Sequence, residues 1–302
     1  MKVIETENLS KVFDNNIKAL ENLNLEINEG DIFGFFGPNG SGKTTTIRLL
    51  NGVLEPSFGH ANLFGIPVSA KASEIRKMCG VLTESAGIYN KLSAIDNLKF
   101  FGRLNRLSDD VIKERALKLF NMFELTEFKD RRVENFSTGM KKKLLLAVAM
   151  LHGPRLVFLD EPTSGLDPET SRNVNELIYT MAKNEGVTVF LCTHQLKYAE
   201  GLCSIYGFIR EGRLLASGRL KELQKRYNTS LTLEIRGENI HKKLGFKETG
   251  KGIYRREIED DQESWSVIKQ IVDNNGTIYQ AEQIEASLED LYFAIQKEEE
   301  NV

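Results

Sequence analysis

Three short apolar runs alternate with helical segments in the first two thirds of the chain. They are GDIFGFFG (30–37), RLVFLD (155–160) and VTVFLCTH (187–194), and each contains at least four consecutive apolar residues when glycine is counted as apolar. Continuous runs of this length are typical of strands buried on both faces, as in parallel sheets covered by helices. The pattern predicts an α/β fold built on a mostly parallel sheet.

Residues between about 88 and 151 follow a helical pattern. SAIDNLKFFGRLNRL and DDVIKERALKLFNMFEL both place apolar residues three to four positions apart, which is the period of an amphipathic helix. We expect this segment to form a helical subdomain inserted into an α/β domain that covers 1–220.

The pattern changes near residue 221, and 221–229 is predicted to be a linker. Beyond it, LTLEIRG alternates like a half-exposed strand, and GIYRREI and TIYQAEQI are further strand candidates around a helix near 263–273. EASLEDLYFAIQ (285–296) has a serine cap followed by an apolar stripe, which predicts an amphipathic helix. We expect a second, small α+β domain over 230–302.

Composition narrows the classes of function. The net charge is −3, and 230–302 contain 9 Lys/Arg against 16 Asp/Glu, so we expect no nucleic-acid partner. The three cysteines form no Cys-x-x-Cys pair, which fits a reducing compartment. The longest apolar run, LLLAVAML at 144–151, is far shorter than the roughly 20 residues that span a bilayer. We therefore expect any membrane role to depend on a partner.

The first chemical motif, GPNGSGKTT, follows an apolar strand and opens an apolar helix, which is the context a phosphate loop requires. Glycines let successive N–H groups wrap a polyphosphate at a helix N-terminus. Lys43 is expected to reach the β- and γ-phosphates, Thr44 to bind Mg²⁺ and Thr45 to contact an α-phosphate oxygen. The alternative, a glycine-rich turn without a ligand, is disfavoured by the strand–loop–helix order. The predicted phosphate-binding residues are Gly37, Pro38, Asn39, Gly40, Ser41, Gly42, Lys43, Thr44 and Thr45.

The second motif, LVFLDEP, ends an apolar strand in two adjacent carboxylates. A carboxylate at the end of a strand can hold Mg²⁺, and a neighbouring one can polarise an attacking water. We assign Asp160 to the metal and Glu161 to the general base. A solvated strand end usually explains an isolated Asp-Glu pair, but the phosphate loop upstream favours nucleotide hydrolysis.

In this order the motifs resemble the nucleotide-binding subunits of ABC transporters. FSTGM (136–140) holds the signature position, LVFLDEP begins 16 residues past its end, SGLD follows at 164–167, and His194 lies 27 residues after Asp167. The resemblance covers about 1–220. It implies that Ser137, Thr138 and Gly139 of one subunit close over the ATP bound by another. Ser137 and Gly139 match the commonest signature, Leu-Ser-Gly-Gly-Gln, whereas Phe136, Thr138 and Met140 depart from it.

The start of the helix after FSTGM supports the resemblance on physical grounds. Ser137 is a good N-cap, which is the ordinary explanation of the motif. Lys141, Lys142 and Lys143 nevertheless crowd the first turns, where each cation opposes the helix dipole by roughly 0.3–1 kcal/mol. A phosphate docked from a second subunit makes both the helix end and the charge favourable, so we prefer the functional interpretation.

The resemblance also implies roles for residues outside the main motifs. His194 would meet the γ-phosphate, and Asp167 would shape the dimer contact beside the opposite nucleotide. Phe13 would stack on adenine, with a core phenylalanine as the alternative. Glu84 replaces the family's Mg²⁺-contacting glutamine, and a carboxylate oxygen is also a suitable Mg²⁺ ligand.

The residues around Glu84 and the SLEDLY sequence within 285–296 resemble one branch of the family. Its members are the ATP-binding subunits that energise bacterial export of drugs, peptide antibiotics and ions. In that branch, 88–135 would receive a short helix of a separate transmembrane permease. The sequence does not distinguish three roles for the C-terminal accessory domain, namely regulation, dimerisation and protection of the active site.

We therefore expect an ATPase that binds ATP and Mg²⁺, dimerises around two ATP molecules and drives export from the cytoplasmic face of the membrane. A soluble ABC-type ATPase with a regulatory or nucleic-acid-related role is the alternative. The chain has one phosphate loop and no sustained heptads, which argues against the DNA and ribosome classes. A passive nucleotide sensor would have no need of an intact Lys43, Asp160, Glu161 and His194.

Overall fold

The computed structural model describes residues 1–83, 87–227, 229, 231–240, 244–258 and 261–300. The chain divides into two compact units, Met1–Arg219 and Leu220–Val302. Because each unit has its own sheet and its own apolar core, each is described separately below.

The described part of the larger unit contains ten strands. They are β1 (Lys2–Phe13), β2 (Ile17–Asn28), β3 (Ile32–Phe36), β4 (Phe58–Leu63), β5 (Ile66–Pro67), β6 (Cys79–Leu82), β7 (Leu156–Asp160), β8 (Thr188–Thr193), β9 (Ile205–Arg210) and β10 (Arg213–Gly218). The helices are α1 (Lys43–Leu50), α2 (Val68–Met78), α3 (Ala94–Leu104), α4 (Asp109–Met122), α5 (Thr138–Met150), α6 (Pro168–Glu185) and α7 (Leu196–Ala199). Short 3-10 turns lie at Asp14–Asn16, Thr126–Phe128 and Val133–Asn135.

The central sheet has the strand order β10-β9-β3-β8-β7-β6. Strands β9, β3, β8, β7 and β6 run parallel, and β10 pairs antiparallel with β9 at the edge. Every residue of β3, β7 and β8 is buried, as the continuous apolar runs predict. Because these strands are parallel, the carboxyl ends of β3 and β7 lie at one edge, where the phosphate loop and the Asp-Glu pair follow them.

A second sheet of the larger unit was not predicted from the sequence. It is antiparallel, with the order β2-β1-β4-β5, and it packs against the same core as the central sheet. Bulges interrupt the β1–β2 pairing at several points, for example between Thr6 and Leu9. These bulges disturb the period-two alternation on which strand prediction depends. The expectation of a mostly parallel sheet therefore holds for the central sheet alone.

The segment 88–151, predicted to be a helical subdomain, contains α3, α4 and α5. Ser93 and Ser108 cap α3 and α4, because each side chain accepts a hydrogen bond from a main-chain N–H three residues ahead. Two 3-10 turns, Thr126–Phe128 and Val133–Asn135, follow α4 and lead into the FSTGM segment. This segment, called the helical layer below, contains the signature motif at the start of α5.

The smaller unit is an α+β fold. Its described elements are α8 (Leu220–Arg226), β11 (Leu231–Glu238), β12 (Lys247–Gly250), β13 (Ile253–Ile258), α9 (Asp261–Asp273), β14 (Thr277–Ile284) and α10 (Leu288–Glu300). The strands form an antiparallel sheet in the order β12-β13-β11-β14. Helix α8 occupies most of the segment 221–229 that the sequence predicts as a linker. At the start of α10, Ser287 Oγ accepts from the Asp290 N–H, as the Ser-x-x-Asp pattern predicts.

Two features of the described residues bear on chemistry outside the main site. Cys79, Cys192 and Cys203 are free and buried, and burial raises the pKa of the Cys79 thiol to about 12. Buried neutral thiols of this kind are inert. Among the described helices we find none that combines the length and the apolar character needed to cross a bilayer.

Candidate functional site

The phosphate loop connects β3 to α1. Gly42 has a φ of +108°, and a Cβ at this position would lie 2.5 Å from the Ala19 carbonyl oxygen, so only glycine fits. Ser41 is buried, and its Oγ has no hydrogen-bond partner among the described residues. Buried hydroxyls are normally paired, so an unpaired one in this loop fits a site for phosphate oxygens.

Lys43 is buried in the same loop. Its Nζ donates to the carbonyl oxygens of Gly37 at 2.7 Å and Pro38 at 3.0 Å, which holds the ammonium group at the loop. Asn39 and Gly40 are exposed on the loop, and Thr45 is half-buried in the first turn of α1.

Sequence reasoning missed the next threonine, which fixes the start of α1. Thr46 is fully buried, and its Oγ1 donates to the Gly42 carbonyl oxygen at 3.0 Å. Its position after the Gly-Lys-Thr-Thr series is the only signal of this role in the sequence.

Thr44 and Asp160 meet although 116 positions separate them in the chain. Thr44 Oγ1 donates to Asp160 Oδ2 at 2.7 Å. Asp160 is the buried last residue of β7, and Thr44 lies in the first turn of α1. A hydroxyl and a carboxylate are the hard oxygen ligands that Mg²⁺ prefers, so the two residues predicted to hold the metal do lie together.

Glu161 is held in an unusual backbone conformation directly after β7. Its φ is +50°, in the left-handed region that non-glycine residues rarely adopt, and such strain recurs at active sites. The Glu161 N–H donates to the Cys192 carbonyl oxygen at 2.9 Å. The side chain is buried, with only 8 % of it exposed.

The Glu161 carboxylate receives three contacts from the end of β8 and the residue after it. Thr193 Oγ1 donates to Oε2 at 2.9 Å, the His194 N–H donates to Oε1 at 3.0 Å, and His194 Nδ1 lies 2.7 Å from Oε1. The structure therefore brings together His194 and Glu161, two of the predicted catalytic residues. Thr193 was not predicted from the sequence, and its position immediately before His194 is the only signal that marks it.

The signature segment begins α5. Ser137 Oγ accepts from the Met140 N–H at 3.2 Å, so the serine is an N-cap, and Ser137 and Thr138 are exposed. Gly139 is buried where α5 meets α6, because a Cβ here would lie 2.5 Å from Thr170 Cγ2. Ser137 thus caps α5 while the N-terminus of the helix stays exposed and could receive a phosphate. The two interpretations of FSTGM therefore do not exclude each other.

Two of the three lysines after the signature have intramolecular partners, which weakens the expectation that their charge serves only a partner's phosphate. Lys142 Nζ donates to the main-chain oxygen of Glu161 at 3.2 Å, and Lys143 Nζ lies 2.5 Å from Glu124 Oε2. Part of the positive charge at this helix start is thus explained within one chain.

Asp167 is the N-cap of α6. Its Oδ2 accepts from Thr170 Oγ1 at 2.6 Å and its Oδ1 from the Thr170 N–H at 3.0 Å. These two hydrogen bonds hold the pKa of Asp167 below its ordinary value, so the side chain is ionised at neutral pH. Thr170 therefore touches both Asp167 and the space beside Gly139, which joins the SGLD segment to the signature.

Two further predicted residues have different outcomes. The Phe13 side chain is 39 % exposed at the end of β1, with Lys11 Nζ 5.4 Å from the ring centroid, so the alternative of a core phenylalanine is wrong. Glu84 lies outside the described residues.

Comparison with known proteins identifies the family. The family model described as ABC transporter matches residues 20–164. The bacitracin transport ATP-binding protein BcrA of Bacillus licheniformis is 35% identical over 237 residues, which cover 78% of this chain and 76% of the relative. This chain belongs to the ATP-binding subunits of ABC transporters.

Two further relatives of this ABC subunit are named for export and for drug resistance. The Nod factor export ATP-binding protein I of Cupriavidus metallidurans is 36% identical, covering 73% of this chain and 72% of the relative. The daunorubicin/doxorubicin resistance ATP-binding protein DrrA of Streptomyces peucetius is also 36% identical, covering 74% and 67%.

A solved structure supports the fold of this ABC subunit. CbiO1 of Clostridium perfringens, part of the ABC transporter complex cbiONQ, superposes with a TM-score of 0.68 at 26% identity and covers 75% of this chain and 94% of the solved chain. The α/β P-loop fold predicted from the sequence is confirmed. This ABC subunit binds and hydrolyses ATP, as members of its family do.

Proposed function

We propose that the phosphate loop, Asp160, Glu161 and His194 form one ATP site of this ABC subunit. Lys43 places an ammonium group among the loop carbonyls, and the exposed ring of Phe13 offers an adenine a flat apolar face. The observation that carries the proposal is the close pairing of two sets of groups, Thr44 with Asp160 and Glu161 with His194.

Thr44 and Asp160 would hold Mg²⁺, because their oxygens already lie within hydrogen-bond distance of each other. We add Glu84 as a third candidate ligand on the resemblance alone. When bound, the ion neutralises charge on the β- and γ-phosphate oxygens. The Ser41 hydroxyl, for which the described residues offer no hydrogen-bond partner, fits the same phosphate group.

Glu161 would act as the general base toward the attacking water. Hydrogen bonds from Thr193 and from the His194 main chain orient its carboxylate, and burial keeps bulk water from competing for it. His194 is 43 % exposed, so its ring reaches the surface where a γ-phosphate of a bound nucleotide would lie. The protein's part is thus positioning and charge stabilisation, which supply most of the catalysis in phosphoryl transfer.

We further propose that two copies assemble head to tail around two ATP molecules. The N-terminus of α5 presents exposed Ser137 and Thr138 together with main-chain N–H groups, which suit a phosphate from a partner. Asp167, ionised and exposed beside them, would line the same contact. ATP would then act as part of the interface, and its hydrolysis would weaken the contact and let the copies separate.

Light scattering with the Glu161→Gln chain tests this assembly. We expect a monomer without nucleotide and a dimer at saturating Mg-ATP, with turnover reduced at least 100-fold. The double variant Glu161→Gln/Ser137→Arg should stay monomeric, because a bulky cation blocks the helix end without touching the phosphate loop. A Glu161→Gln chain that remains monomeric at saturating Mg-ATP contradicts the proposal.

We also propose that the helical layer docks on a separate transmembrane permease at the cytoplasmic face of the membrane and that the pair exports its substrate. Tyr89, Phe100 and Leu104 are exposed apolar residues on this layer, and they are 50 %, 42 % and 68 % exposed. The buried Asn97 fixes the Tyr89 main chain through bonds to its N–H at 2.8 Å and its carbonyl oxygen at 3.1 Å. An ordered apolar patch of this kind marks a protein interface.

Export is tested with cells that carry this chain together with its membrane subunit. The names of the relatives direct the choice of compounds to bacitracin and daunorubicin. We expect resistance to at least one such amphipathic compound, which is lost in Glu161→Gln and in Leu104→Asp. The second variant should keep the ATPase activity of the isolated chain, because Leu104 lies on the docking layer alone.

A further inference from the structure

Lys142, the middle lysine of the run after the signature, points back into its own chain. Lys142 Nζ donates to the main-chain oxygen of Glu161 at 3.2 Å. Lys142 lies on α5, and Glu161 follows β7, so the contact joins two elements that are 19 positions apart in sequence.

We propose that Lys142 is a positioning residue for the catalytic base. Glu161 adopts a left-handed backbone, a strained conformation for a non-glycine residue that persists only where neighbouring groups hold it in place. Its N–H is tied to Cys192, and its carbonyl oxygen accepts from Lys142 and, at 3.2 Å, from the Ser164 N–H. Of these contacts only Lys142 comes from α5.

The position of Lys142 on α5 gives the contact a second consequence. Lys142 lies five positions after Ser137, the exposed helix start that the proposed function places over a partner's nucleotide. A helix is stiff over so short a distance, so displacement of the helix start moves Lys142 with it. The base of each copy is thereby linked to the helix end that covers the other copy's ATP. This inference rests on the proposed function, which supplies the role of Glu161.

Steady-state ATPase kinetics of the full chain test the proposal. Lys142→Met keeps the length and apolar stem of the side chain but removes the donor. We expect kcat to fall by about 10- to 100-fold, the range that small errors in positioning produce, with the KM for ATP unchanged. Mg-ATP-dependent dimers should still form in the Lys142→Met/Glu161→Gln chain. Lys142→Arg should recover most of the activity, and Lys113→Met, an exposed lysine on α4, should match the parent chain.

Chemical rescue separates the ammonium group from the fold. The three native cysteines are buried, and burial raises the pKa of each thiol, so a cysteine placed at position 142 is the reactive one. The Lys142→Cys chain should lose activity and regain it on treatment with bromoethylamine, which restores an aminoalkyl chain of nearly the original length. The parent chain given the same treatment is the control.

The outcomes distinguish a failure of the proposed role of Lys142 from a failure of the proposed function. A Lys142→Met chain with unchanged kcat, or one that raises KM while leaving kcat unchanged, overturns the positioning role. Failure of bromoethylamine to restore the Lys142→Cys chain overturns it as well. If Glu161→Gln hydrolyses ATP at the parent rate, the proposed function itself fails, whatever Lys142 does.

Discussion

At the scale of single residues, the Glu161 carboxylate depends on a hydroxyl that no motif names. Thr193 Oγ1 donates to Glu161 Oε2 and accepts from the Gln195 N–H at 3.0 Å, so it links the base to the chain after β8. Thr193→Val keeps the shape and removes both bonds. Because a hydrogen bond to a charged group contributes about 1.5–3 kcal/mol, we expect a loss of at least tenfold in kcat, measured in steady-state ATPase assays.

The matched control for this prediction is Thr193→Ser, which retains the hydroxyl and should stay within a few-fold of the parent. Both variants should bind a non-hydrolysable ATP analogue as tightly as the parent chain, because Thr193 does not belong to the phosphate loop. Equal kcat in Thr193→Val and Thr193→Ser would show that the hydroxyl has no effect on the base.

The protonation of His152 should make the free energy of unfolding depend on pH. Burial lowers its pKa below the ordinary value of 6.5, and the nearby Arg115 adds to the effect. The unfolded chain therefore binds a proton at pH values where folded His152 does not. Stability contributed by the neutral ring is present above about pH 6.5 and is lost as the pH falls below it.

Urea unfolding at about pH 7 and pH 5.5 checks this sign. We expect the parent chain to lose more stability between the two pH values than His152→Gln, which cannot be protonated. His60→Gln is the matched control, because His60 is exposed on β4 and its removal changes no buried group. The same pH dependence in His152→Gln and the parent would contradict the assignment.

At the scale of elements, the contact between α5 and α6 depends on one glycine. A Cβ at Gly139 would lie 2.5 Å from Thr170 Cγ2, so Gly139→Ala must push the starts of the two helices apart. We expect a loss of roughly 1–3 kcal/mol in the free energy of unfolding and weaker ATP-dependent dimerisation. Urea unfolding and light scattering measure the two effects.

The structure also supplies the compensating change. Thr170→Ser removes Cγ2 but keeps the hydroxyl that bonds Asp167, so Gly139→Ala/Thr170→Ser should regain stability. The clash would be absent if Gly139→Ala alone were as stable as the parent. A double variant no more stable than Gly139→Ala would place the strain elsewhere.

The elements also show how far the sequence leads. The apolar runs of β3, β7 and β8 and the capped helices α3 and α4 are predictable, because each is determined by local pattern. The chemical motifs single out these side chains as site residues. The structure places Thr44 beside Asp160 and Glu161 beside His194. The antiparallel sheet was missed, since bulges in β1 place Val3 and Ile4, adjacent residues, both in the core.

Local sequence patterns do not predict the contacts made by residues outside the motifs. Nothing local to Lys142 indicates that its ammonium group bonds the main chain of Glu161, because the approach of α5 to β7 is set by packing across the whole unit. The same holds for Gly139 and Thr170. Motifs thus point to the proposed reacting groups, whereas the groups that orient them are found only in the three-dimensional structure.

At the scale of the whole molecule, the two units have separate apolar cores. The larger contains Phe33, Phe35 and Phe190 among others, and the smaller is built around Leu233 and Ile235. All predicted nucleotide ligands in the described residues belong to the larger unit. Ligand binding to a folded state stabilises that state by mass action, so ATP should act on one core alone.

Trp265, the only tryptophan of the sequence, makes this prediction measurable because it lies on α9 of the smaller unit. We expect its fluorescence to report a thermal transition that Mg-ATP leaves unchanged in the Glu161→Gln chain. The larger unit dominates the far-UV circular dichroism signal. The midpoint temperature of that signal should rise by about 5 to 10 °C when the Mg-ATP concentration is 100 times its dissociation constant, which corresponds to about 2.7 kcal/mol of stabilisation. Lys43→Ala/Glu161→Gln, which weakens phosphate binding, should abolish that shift. Parallel shifts of both signals would mean that the units unfold as one cooperative body, which the separate cores argue against.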